Sequence, residues 1–132
     1  MTALETYLKK GIEYAILTDE ISKAWSGMTT RQYKNLKGLK KENLRDNMST
    51  LELVLNMLAE AATAEISKEQ KPKSFNANKA VAHSGGEAAG EARAAVEKRT
   101  GKPVITSENA VDFGNLISDV IRASDGEYNE TE

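Results

Sequence analysis

The chain has 132 residues and a formal net charge of −2, so it is sized for one domain and its overall charge favours no class of partner. It has no cysteine, which excludes disulfides, thiolate metal sites and cysteine nucleophiles. Aromatic residues make up only 5% of the chain against 39% hydrophobic residues in all, so the core has to be aliphatic and alanine-rich, which suits helices better than sheets.

The opening MTALETYLKK has no basic stretch followed by an apolar run and is not a signal peptide, and no apolar run reaches the length of a membrane span. A first helix is predicted from Thr2 to near Leu17, with Leu4, Leu8 and Ile12 in an i, i+4 row widened by Tyr7, Ala15 and Ile16. Thr18-Asp19-Glu20 has the form of a fresh helix start, a capping residue followed by acids. The helix after it carries Ile21, Ala24 and Trp25 and closes at Gly27; whether residues 2–26 form one helix or two stays open. Thr29-Thr30-Arg31-Gln32 is a capping box that opens a short basic helix with Tyr33 and Leu36, stopped by Gly38. A further short helix holds Leu44 and Met48.

Ser49-Thr50-Leu51-Glu52 is a second capping box, in which the Ser49 hydroxyl accepts from the Glu52 amide and the Glu52 carboxylate accepts from the Ser49 amide. It opens the most apolar helix of the chain, a long central helix over 50–67 with Leu51, Val54, Leu55, Leu58, Ala62 and Ile66 at the helical period. Leu55 and Leu58 are expected in the core. A charged linker over 68–73 leads to Ser74, which caps an Ala/Gly-rich helical segment, 75–99, that Gly85-Gly86 would break or kink. Pro103-Val104-Ile105-Thr106 is the one short β-branched run. A last helix carries Val111, Phe113, Leu116, Ile117, Val120 and Ile121. The expectation is an all-α, single-domain bundle of five or six helices over residues 1–123, followed by an acidic, disordered tail over 124–132.

Candidate sites are few. Arg31, Lys34, Lys37, Lys40, Lys41 and Arg45 crowd one segment opposed only by Glu42 and Asp46, and they are the candidate contacts for a nucleic acid or an acidic partner, with a solvated charged surface as the simpler reading. Gly86 and Gly90, at i, i+4, are candidates for close helix packing, within the monomer or across a homodimer. A phosphate loop there would need a preceding strand, and the preceding residues have a helical pattern. His83 is the only histidine and has a single carboxylate, Glu87, at helical spacing, so it is read as a half-exposed helical side chain and no metal site is expected. Glu60 and Glu65 lack the spacing of a di-metal bundle, and Trp25 is read as a core anchor. Neither catalytic nor cofactor-binding residues are expected.

The run YKNLKGLKKENLRDNMSTLELVLNMLAEAATAEI, from Tyr33, resembles the C-terminal region of prophage antirepressor-type proteins, which commonly carry a Bro-type DNA-binding domain at their N-terminus and grade into the DNA-damage-inducible protein D group. A second similar block comprises Asn78 to Ala82, Gly85-Gly86, Gly90 to Arg93 and Val104 to Ala110. The resemblance implies a cytoplasmic, non-enzymatic regulatory module of phage or mobile-element origin, with a recombinase-type protein partner and a link to the DNA-damage response. The expected form is a stand-alone accessory domain without the Bro-type domain. A nucleic-acid-binding accessory protein using residues 31–45 is the alternative.

Overall fold

The computed structural model describes residues 2–108 and 120–122, and it is all-helical among them. Four α-helices follow in order: α1, Ala3–Ser26; α2, Thr30–Leu36; α3, Thr50–Gln70; and α4, Phe75–Thr100. A single 3-10 turn, Arg45–Asn47, lies between α2 and α3. Val120 to Arg122 are helical and exposed. The rest of the predicted last helix and the acidic tail fall outside the described residues.

The helix starts follow the side-chain chemistry. Both predicted capping boxes form, Thr29 with Gln32 and Ser49 with Glu52, and Thr2 with Glu5 makes a third at the start of α1. Ser74 caps α4 by accepting from the Ala77 amide. Residues 3–26 are one helix. Thr18 starts nothing, because its hydroxyl donates to the Tyr14 carbonyl one turn back, inside α1. The neighbouring Asp19 instead accepts from the Thr30 amide, at the first turn of α2. Gly27 closes α1 at φ +81°, a left-handed conformation that glycine adopts without strain.

α3 and α4 form an antiparallel hairpin across the turn at residues 71–74. α1 runs parallel to α4: Glu20 meets His83, Ala24 meets Gly86, and Trp25 and Ser26 meet Arg93. α4 therefore has a helix on each side, while α1 and α3 touch each other only slightly. The expected long helix at 50–67 is present as α3, but the element flanked on both sides is the small-residue α4.

Its glycines explain this. The pair Gly85-Gly86 neither breaks nor kinks α4, which stays helical to Thr100. A Cβ on Gly85 would lie 1.9 Å from Thr63 Oγ1 and 2.6 Å from the Thr63 amide nitrogen. One on Gly86 would lie 2.5 Å from Ala24 Cβ, and one on Gly90 would lie 3.0 Å from the Ala24 carbonyl oxygen. Gly86 and Gly90 thus admit α1, and Gly85 admits α3. The close approach expected at Gly86 and Gly90 is thus made by α1 within the chain.

The core joins Trp25, Tyr33, Leu39, Leu44, Met48, Leu55, Ala59, Ala89 and Val104. Val104, from the β-branched run, packs into it without forming a strand. Leu58 is corrected out of the core: it is 41% exposed, and Leu51, Val54 and Met57 are exposed beside it. The face of α3 turned inward is Glu52, Leu55 and Ala59. Among the described residues no helix is long and apolar enough to cross a membrane.

Candidate interaction cleft

The six basic residues do not form one surface. Lys37, predicted as a contact residue, is buried. It follows α2 as its C-terminal cap, one residue before the φ +72° turn at Gly38, and its side chain points inward. There Lys37 Nζ donates to Glu52 Oε1 at 2.7 Å, with both side chains fully buried, and also to the Glu108 carbonyl. Tyr33 Oη donates to the other oxygen of Glu52. Burial first, then the hydrogen bond and negative charge of Glu52, push the Tyr33 phenol far above its ordinary range. No buried side-chain nitrogen or oxygen among the described residues lacks a partner. The cluster is saturated and structural: the carboxylate that caps α3 also neutralises a buried ammonium.

The other five stay at the surface in different states. Arg31, Lys40 and Lys41 are exposed, and Arg31 Nη1 donates to the Lys40 carbonyl at 3.4 Å. Arg45 pairs with Glu60 at 2.9 Å, both about half exposed. Lys34 is half-buried, and among the described residues it has no carboxylate within ion-pair distance.

Lys34 and Arg45 instead line a cleft of about 510 Å³ between α1 and α3, which touch each other only slightly. The α1 side mixes apolar Leu17 and Ile21 with polar Thr18 and Ser22, and Leu44 and Met48 add apolar lining from the segment before α3. The opposite wall is a polar row along α3, Asn56, Glu60, Thr63 and Ser67, at spacings that keep all four on one side of the helix. The floor is Asn78, Val81 and Ala82 of α4. The polar wall is tied back to the core: Trp25 Nε1 donates to Asn56 Oδ1 at 3.2 Å, and Asn56 Nδ2 donates to Glu60 Oε1 at 2.8 Å. Cavities of this size between helices are ordinary ligand and side-chain receptors. Sequence reasoning did not find this cleft. Its available signal was the polar row at i, i+4, i+7 and i+11 on an otherwise apolar helix.

His83 is half-exposed on α4, between Glu20 of α1 and Glu87. Its two ring nitrogens each face a carboxylate, and no group of three or more metal-ligating side chains occurs among the described residues. Two apolar rows are also exposed: Leu4, Leu8 and Ile12 on α1, and Val54, Met57 and Leu58 on α3.

No family model, curated protein or solved structure matches this chain.

Proposed function

We propose that the chain is a non-enzymatic regulatory module that binds a segment of a partner protein in the cleft between α1 and α3. The observation that carries this reading is one open groove that sets apolar Leu17, Ile21, Leu44 and Met48 against the polar row of α3. A partner segment with an apolar and a polar side satisfies both walls at once. The saturated Tyr33–Glu52–Lys37 cluster has no open coordination or substrate access that would give it a chemical step. The resemblance of residues 33–66 to the antirepressor and DNA-damage-inducible groups supports a regulatory partner of recombinase type in a phage or mobile-element setting.

Arg31, Lys40 and Lys41, exposed on the α2 side, favour a second reading as a nucleic-acid accessory protein. One pair of variants separates the two. Thr18 is exposed on α1 at the mouth of the cleft, so Thr18→Trp fills the groove without entering the core. Capture of a host protein that is lost with Thr18→Trp and kept with Lys40→Glu/Lys41→Glu supports the cleft. Binding of an oligonucleotide that weakens steeply with salt and is lost with Lys40→Glu/Lys41→Glu supports the second reading.

A further inference from the structure

Resting on the cleft as the binding site, we infer that its occupant is an amphipathic helix of about three turns carrying acidic residues at one end. The length comes from α3. The polar wall runs from Asn56 to Ser67, twelve residues, or about 16 Å at the helical rise. The α1 side, from Tyr14 at the Ser67 end of the groove to Ser22, spans about 12 Å, so the polar wall sets the longer limit.

The two-sided chemistry excludes an occupant that is apolar all round. Such a segment would bury Asn56, Thr63 and Ser67 against hydrocarbon and strip them of water. A helix with apolar residues at i, i+3 or i+4, and i+7 instead seats that row on Leu17, Ile21 and Met48. Its small polar flank then lies against the α3 row.

The charge comes from the lining. Its charged members are Lys34, Arg45 and Glu60, and Arg45 and Glu60 neutralise each other at 2.9 Å. That leaves Lys34, whose ammonium meets no carboxylate at ion-pair distance among the described residues. Glu42 lies close enough to feel its charge, and that carboxylate is held by backbone amides, Lys40 among them. Exposed Arg31, Lys40 and Lys41 lie on the same side of the molecule as α2 and extend the positive field beyond the cleft. The opposite end, at Tyr14, Ser67 and Asn78, is neutral. An acidic group is therefore recognised at one end only, which also fixes the direction in which the helix lies.

A displayed library of twelve-residue helical peptides, with three apolar positions fixed at i, i+4 and i+7 and the rest randomised, tests this against the full chain. The selection is repeated on Lys34→Glu and on Thr18→Trp, each checked by circular dichroism for parental helix content. The expected result is a set of peptides with Asp or Glu at one end, lost on Thr18→Trp. Affinity should fall about ten-fold on Lys34→Glu, which should itself select Lys or Arg at that end. Peptides that depend on the open cleft but show no acidic preference, or bind Lys34→Glu equally, overturn the charge assignment and leave the cleft standing. Peptides indifferent to Thr18→Trp, or no selected peptide at all, overturn the cleft itself. Binding of an oligonucleotide in their place assigns the basic surface to nucleic acid.

Discussion

Lys37 and Glu52, fifteen residues apart, meet at 2.7 Å with neither side chain exposed to water. Removing the cation leaves a buried carboxylate held only by Tyr33 and the helix cap. Lys37→Ala is expected to cost about 3–5 kcal/mol, the usual penalty for an orphaned buried charge. Lys40→Ala, on the exposed loop three residues on, is expected to fall within about 0.5 kcal/mol of the parent. Urea denaturation of both variants is the measurement, and equal midpoints would contradict the burial of the pair.

Alanine at the glycines of α1 and α4 should have opposite effects. Gly85 and Gly86 have no space for a methyl group, so Gly85→Ala and Gly86→Ala should each destabilise by about 1–3 kcal/mol. Gly11 is helical and has nothing within 4 Å of an added Cβ, so Gly11→Ala should stabilise by about 0.5–1 kcal/mol. Gly90→Leu should force α1 away from α4. Thermal melting of the four variants, ranked against the parent, checks the signs.

Two leucines three residues apart on α3 should respond very differently. Leu55 is 3% exposed and Leu58 is 41% exposed. Leu55→Ala is expected to cost about 2–5 kcal/mol, and Leu58→Ala under about 1 kcal/mol. If the two costs were equal, α3 would have to be rotated relative to α4.

Alkaline stability should depend on Tyr33. Its phenol is raised above the ordinary value of 10.0, chiefly by burial and then by Glu52. Above about pH 10 the unfolded chain therefore sheds this proton while the folded chain keeps it. The unfolded state then binds fewer protons, so stability falls as pH rises. The contribution is fully present below about pH 10. Parent and Tyr33→Phe should differ most near neutral pH, where the variant lacks the hydrogen bond to Glu52. The gap should begin to narrow near pH 10 and go on narrowing as the pH rises further, read from denaturation midpoints.

What the sequence made legible was mostly local. Ser49–Glu52 and Thr29–Gln32 mark helix starts because a cap is complete within four residues. Gly86 and Gly90 announce close approach by having no side chain, though not which helix approaches. What failed was long-range. Lys37 lies in a run of lysines and looks solvated, and Glu52 looks fully occupied as a cap, so nothing local announces that the two meet. α3 is apolar around so much of its circumference that periodicity could not choose between Leu55 and Leu58. The cleft draws Thr18, Asn56 and Asn78 from three helices, an arrangement that no segment encodes alone.

Along α1 the surroundings change within one continuous helix. From Thr2 to Ile16 the described side chains are exposed apart from half-buried Thr6 and Glu13, whereas Ser22, Trp25 and Ser26 are buried. Arg93 of α4 also holds the carbonyls of Trp25 and Ser26. Amide hydrogen exchange should therefore be graded along a single rod. The first turns, whose helical bonds have little tertiary packing behind them, should exchange by fraying. The amides opposite Gly86 and Gly90 should wait for the bundle to open as a whole.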